Sequence, residues 1–183
     1  MLLVRRRAGD AFGDSYTFPG GVLDADEYEA RMACTGLSEG RANEILGLES
    51  GALDYYSAVV RELFEETGVL LGVSIHIKDE LRRRLHAGEL PWRHVLEKLD
   101  ASIHCDGLEY FAHWITPSAL PKRWTTRFFL AAMPEGQTIR PDNNEITDHC
   151  WATADEALAS ANSGERKIPF PTRRTIEDLA GKA

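Results

Sequence analysis

Arg61, Glu62, Glu65 and Glu66 fall within six consecutive positions, directly behind the apolar pair Val59 and Val60. At about 100° per residue on a helix, the three glutamates project within a sector of roughly 100°. Like charges one helical turn apart destabilise a helix by a few tenths of a kcal/mol per pair, so such a face calls for a compensating cation. Arg61 reaches Glu65 one turn on, but one cation does not neutralise three anions. A hard divalent cation such as Mg²⁺ or Mn²⁺ does, because it takes carboxylate oxygens and keeps several waters. The alternative is a solvated charged face. Upstream, "FPGGVLDADE" supplies Gly20 and Gly21, which permit a tight turn and close approach of a phosphate or of the helix, and Asp24, Asp26 and Glu27 as further oxygen donors.

These residues resemble the signature of the Nudix hydrolase family: a Gly, five residues, a Glu, seven residues, then Arg-Glu-apolar-X-Glu-Glu-X-Gly-apolar. Gly21 followed by five residues and Glu27 matches the first half, and "RELFEETGV", Arg61 to Val69, matches the second at every specified position. Between the halves, residues 28 to 60 number 33, an excess of 26 over the family pattern. A long insertion is tolerable there, since doubling a loop costs only about 0.6 kcal/mol in closure entropy. The split box is similar to the branch that includes the peroxisomal coenzyme A diphosphatases, and so is "ITPSALPKRWTTRFFLAAMPEGQ". The chain ends in "GKA", without a Ser-Lys-Leu-like peroxisomal signal.

The resemblance implies an α+β fold, a Nudix-type α/β/α sandwich with a mixed sheet and a helical insertion within the box. It implies a single domain over residues 1–183, with the insertion at about 28–54 and a second helical stretch at about 78–99. It also implies hydrolysis, by water attack at phosphorus, of a phosphoanhydride in a nucleoside diphosphate linked to another moiety, CoA or acyl-CoA among the candidates. Glu62, Glu65 and Glu66 match the family's metal ligands, Arg61 the residue that orients one of them, and Glu27 the acid of the first half and a further candidate ligand. Asp24 is an accessory candidate. Nudix enzymes commonly take one more carboxylate from a loop ahead of a strand tryptophan; Glu145, six residues before Trp151, is the candidate base or fourth ligand. A polar turn feeding an edge strand is the competing reading of that loop.

Among the cations, Arg6 in "RRR" and Arg127 in "TRFF" are candidates to face a substrate phosphate, with Gly20 and Gly21 beside them; surface ion pairs are the alternative. "LRRRL", residues 81 to 85, reads as a solvated helix face, although a CoA 3′-phosphate would suit such a patch. The histidines repeat no ligand spacing, and no Ser or Cys constellation supports a protein nucleophile.

Elements must hold these groups. The pattern from Leu53 to Thr67 predicts one firm helix stopped by Gly68. "LLV" predicts a first strand, and "EYEARMA" and "EGRANEILGL" predict two short helices ended near Gly47. The stretch 78–99 predicts helix interrupted at Gly88 and Pro91. "LEYFAHWITP", "TRFFLAAMP" and "EITDHCWAT" read as strands, with helices in "ADEALASANS" and "TRRTIEDLAGK". The insertion is expected to lie over the site and shape specificity.

The bulk composition sets outer limits. A net charge of −8 and pI near 5.3 disfavour general affinity for nucleic acid or anionic membrane. No apolar run approaches the roughly 20 residues of a membrane span, and "MLLVRRRAGD" is too short in apolar residues for a signal peptide. Cys34, Cys105 and Cys150 are odd in number and widely spaced, which fits a reducing cytoplasm. The expected partner is a small nucleoside diphosphate derivative, with a homodimer as one way to cover an exposed edge strand. Two non-hydrolytic readings stay open: a Nudix-fold nucleotide-binding or regulatory module, and an acidic helix serving as a protein-interaction surface.

Overall fold

A short apolar start and an apolar stripe recurring every three to four residues from Leu53 onward become the first strand and the longest helix of the chain. The computed structural model describes residues 1–9, 12–73, 79–119 and 123–181. Strands β1 (Leu2–Arg6) and β2 (Tyr16–Thr17) lead to helix α1 (Glu27–Ala30), which runs into a 3₁₀ turn at Arg31–Ala33 and strand β3 (Cys34–Thr35). Helices α2 (Glu39–Leu46), α3 (Ala52–Thr67), α4 (Asp79–His86) and α5 (Trp92–Leu99) follow. Strand β4 (Ile103–His104), a 3₁₀ turn at Cys105–Gly107, strands β5 (Glu109–Ile115), β6 (Thr125–Leu130) and β7 (Ile146–Trp151), and helices α6 (Ala154–Ser163) and α7 (Phe170–Ala180) complete the order. Residue 78, where the second helical stretch is expected to begin, residues 120–122 of the "ITPSALPKRW" run and the final "KA" lie outside the described residues.

The chain divides into two compact units, Met1–Gly20 with Ile139–Ala183, and Gly21–Thr138. In the first, an antiparallel sheet runs β2-β1-β7, with Leu3 opposite Cys150 and Val4 opposite His149. The register shifts between Arg5 and Arg6, an irregularity that re-aims the side chains at that end of β1. Leu3 packs with Ala157 of α6 and Ile176 of α7 in the buried cluster. A capping box opens α6: Thr153 accepts from the Glu156 backbone N–H while the Glu156 carboxylate accepts from Thr153.

The second unit is organised around α3. Leu53, Tyr56, Val60 and Phe64 recur on one face and are all buried. Trp92 of α5 lies beside Phe64 with ring centroids 6.1 Å apart, and its indole N–H donates to Ser57 Oγ at 3.1 Å. Antiparallel β5 and β6 pack Phe129 edge-on against Tyr56, 5.0 Å between centroids. Gly68, at φ 75°, ends α3 in the left-handed conformation that glycine adopts without a Cβ penalty.

The insertion also enters the core: Ala30, Ala42 and Leu46 pack with Tyr56 and Phe64, and β3 pairs in parallel with β4. One expectation is corrected here. "LRRRL" is not uniformly solvated, because Arg82 is buried to 7% exposure. The β3–β4 pair had no local signal; two-residue strands are defined by their partner, not by alternation. Among the described residues no helix is long and apolar enough to cross a membrane.

Candidate active site

Arg61 is where the acids meet. It leaves α3 at 7% exposure, and its Nε donates to Glu27 Oε1 at 2.6 Å. Nη2 lies 2.8 Å from Glu62 Oε1 and donates to the Val22 carbonyl at 2.8 Å, while Nη1 reaches Glu65 Oε1 at 3.4 Å. One planar fork thus ties α3 to the glycine turn and to α1, geometry that a lysine's single ammonium would not reproduce. Arg61 meets Glu65 as expected, and in addition Glu62 on the same helix and Glu27 of α1.

Glu27 is 1% exposed, and both its oxygens are engaged: Oε1 by Arg61, Oε2 by the Asp24 backbone N–H at 2.7 Å. Burial pushes its pKa up, an effect that the Arg61 hydrogen bond and charge partly offset. Burial alone would lower the pKa of Arg61, but the charges of Glu62, Glu27 and Glu65 drive it above its ordinary value and the guanidinium stays protonated. Glu66, one residue on, is buried to 2% exposure.

Gly21 carries the glycine turn over the helix. A Cβ there would lie 2.5 Å from Glu62 Oε2, so any side chain would displace that carboxylate. Gly20 adopts φ 147° in open space. Asp24 Oδ1 accepts from the Asp26 N–H at 3.4 Å, shaping the loop.

The donor chemistry fits a hard divalent cation: Glu62 and Glu65 offer carboxylate oxygens on one helix, with the Gly21 backbone packed directly against the Glu62 carboxylate. Among the described residues no group of three or more His, Cys, Asp or Glu is gathered at metal-binding separation. A cation there would be held by Glu62 and Glu65 and would fill the rest of its shell with other oxygens, as Mg²⁺ usually does.

The remaining candidates are dispersed. Arg6, Gly20 and Glu145 form their own group in the first unit: Arg6 Nη2 lies 3.4 Å from Glu145 Oε2, and Nη1 donates to the Gly20 carbonyl at 3.3 Å. Arg127 sits on β6, opposite His113, with its guanidinium 4.4 Å from the centroid of the Tyr55 ring. Its Nε is buried and makes no hydrogen bond among the described residues. Arg82, on α4, was missed as a site residue; its Nε donates to the Glu65 carbonyl at 2.7 Å. Only an apolar–Arg–polar pattern within a charged run hinted at it.

Comparison with known proteins agrees with this architecture. A solved Nudix hydrolase from Alicyclobacillus acidocaldarius superposes with a TM-score of 0.78 at 22% identity, over 96% of this chain and 81% of that one. The acyl-coenzyme A diphosphatase NUDT19 of Homo sapiens is 28% identical over 100% of this chain and 61% of its own length. That of Xenopus laevis is 22% identical over 93% of this chain and 57% of its own. The chain thus spans just over half the length of the curated relatives it matches. The family model described as NUDT19 Nudix domain matches residues 49–177, which takes in Arg61, Glu62, Glu65 and Glu66 and begins after the glycine turn. With the Nudix fold on one side and a match over most of the chain on the other, the protein belongs to the Nudix hydrolase family, in its NUDT19-type branch.

Proposed function

We propose that the chain hydrolyses a phosphoanhydride in a nucleoside diphosphate derivative, with CoA or an acyl-CoA as the leading substrate class. The observation that carries this reading is the convergence of Glu27, Glu62 and Glu65 on one buried Arg61 beneath a side-chain-free Gly21. The diphosphatase names of the human and frog relatives favour the CoA class.

A bound Mg²⁺ or Mn²⁺ supplies charge neutralisation at the phosphates and a bound water of lowered pKa. The protein's own part is positional. Glu62 and Glu65 present oxygens from a rigid helix, Arg61 fixes their rotamers, and Glu27 fixes Arg61. Glu66, a turn from Glu62, is the third ligand candidate. The turn at Gly20 and Gly21 leaves room for a phosphate. Arg127 contributes an anion contact, being a cation stacked on Tyr55 with no carboxylate partner among the described residues. Glu145 is the base candidate, and Arg6, paired with it, orients it. In the overall reaction, water adds to phosphorus, the bridging P–O bond breaks and two phosphate monoesters leave.

The test is product analysis by mass spectrometry with CoA, acyl-CoA, ADP-ribose, nucleotide sugars and dinucleotides, with and without Mg²⁺ or Mn²⁺, for wild type and Glu65→Gln. Metal-dependent cleavage lost in the variant supports the reading. A folded wild type that binds metal and cleaves nothing moves it to a nucleotide-binding module.

A further inference from the structure

Helix α3 ends against its own electrostatics. Its C-terminus carries the equivalent of about −0.5 charge from the aligned peptide dipoles, and cations are favoured there. This helix instead places Glu62, Glu65 and Glu66 in its last two turns and no basic residue in the last.

The carbonyls at that end also need partners, since the last four of any helix have none within it. Phe64 O accepts from Gly68 N at 2.8 Å, and Leu63 O from Thr67 Oγ1 at 2.6 Å. Glu65 O would ordinarily accept from Val69 N, but that N–H turns to Thr67 Oγ1 at 3.2 Å; the next, Leu70 N, donates to Gln137 Oε1 at 2.9 Å. Arg82 supplies the missing donor, its Nε 2.7 Å from Glu65 O. It comes from α4, outside the acidic run and 7% exposed, while neighbouring Arg83 is exposed and Arg84 faces Glu89 at 3.8 Å.

We infer that Arg82 is a positioning residue for the carboxylates of α3: by holding the Glu65 carbonyl it keeps the terminal turn wound, and with it the Glu65 carboxylate in place one turn from Glu62. The inference rests on the metal-site reading above and adds a second arginine to it. Arg61 holds the acids by their side chains, and Arg82 holds the turn by its backbone. Removing Arg82 takes this donor from the Glu65 carbonyl and loosens the terminal turn.

The experiment is a Mn²⁺ titration of the full chain followed by electron paramagnetic resonance, without substrate and below every variant's melting midpoint. Arg82→Gln, too short to reach the carbonyl, is expected to bind Mn²⁺ roughly tenfold more weakly, in the range typical of lost outer-shell partners. Arg82→Lys, which keeps a donor, recovers most of that loss. Affinity in Arg82→Gln equal to or tighter than wild type, with a lowered melting point, would make Arg82 a mere strut between α4 and α3 and overturn the inference. Glu65→Gln in the same titration separates the two readings: if it too binds as wild type does, the metal site itself is elsewhere. Should Arg82→Gln not fold, wild type alone decides. Mn²⁺ is expected to slow amide exchange across α4, because coupling between the cation and Arg82 is reciprocal; an unchanged α4 overturns the inference.

Discussion

Arg61 shows how one residue makes an acidic helix tolerable. With three carboxylates around a guanidinium of 7% exposure, each acid has a charged partner although the group keeps a net negative charge. Truncating one member of such a group leaves another buried and alone, which costs about 3–5 kcal/mol. Arg61→Met is therefore expected to lose that much in urea unfolding, and Arg61→Met combined with Glu27→Leu to lose less than the single substitution. A double variant at least as destabilised as Arg61→Met would contradict the clamp. Gly21→Ala tests geometry without charge. Its Cβ would push the Glu62 carboxylate aside, so turnover should fall on the order of 100-fold, the usual result of a 1 Å misplacement, while the melting temperature moves little. Neither the Glu27–Arg61 contact nor the inward turn of Arg82 was legible in the residues themselves, because each is made by side chains distant in sequence.

At the scale of elements, α3 and its stop were readable. The apolar stripe and Gly68 define them locally, and the observed Ala52–Thr67 differs from the expected start by one residue. Gly68→Ala forces a Cβ into φ 75° and should cost about 1 kcal/mol in thermal unfolding. The first turn of α3 contains a less visible charge: Asp54 has a buried Oδ1 without a hydrogen bond among the described residues, 3.8 Å from Arg31. Burial raises its pKa, the Arg31 charge lowering it and Glu39 raising it further. A carboxyl whose folded pKa lies above its unfolded value of about 3.9 contributes stability below that value and loses it as pH rises through the folded one. Asp54→Asn should therefore gain on wild type as pH rises from 4 towards 7. Chemical melts at both pH values check this; a difference that shrinks over that range would show the wrong sign.

For the whole molecule, the residues between the two halves of the box matter most. Their position suggested an accessory layer shaping specificity, yet Ala30, Ala42 and Leu46 are 0%, 0% and 4% exposed within the core built on α3. Excising residues 28–51 should thus abolish cooperative unfolding of the Gly21–Thr138 unit, seen as lost near-ultraviolet circular dichroism. A folded deletion variant with altered substrate preference would restore the accessory-layer view. The β3–β4 pairing that stitches this segment down joins Cys34 to Ile103 and Thr35 to His104.

The amino-acid order alone determined what local periodicity and spacing can encode: the α3 helix, the strand-forming runs, the acidic face and the Gly-to-Glu spacing that resembles the Nudix signature. Tertiary structure decided which cation meets which acid. It joined Glu27 to Arg61 and the Asp24 amide, brought Arg82 to the Glu65 carbonyl, and made the insertion part of the core. The reason is physical: helix and strand follow from interactions a few residues apart, whereas a buried charge is stable only where distant partners arrive to desolvate and pair with it.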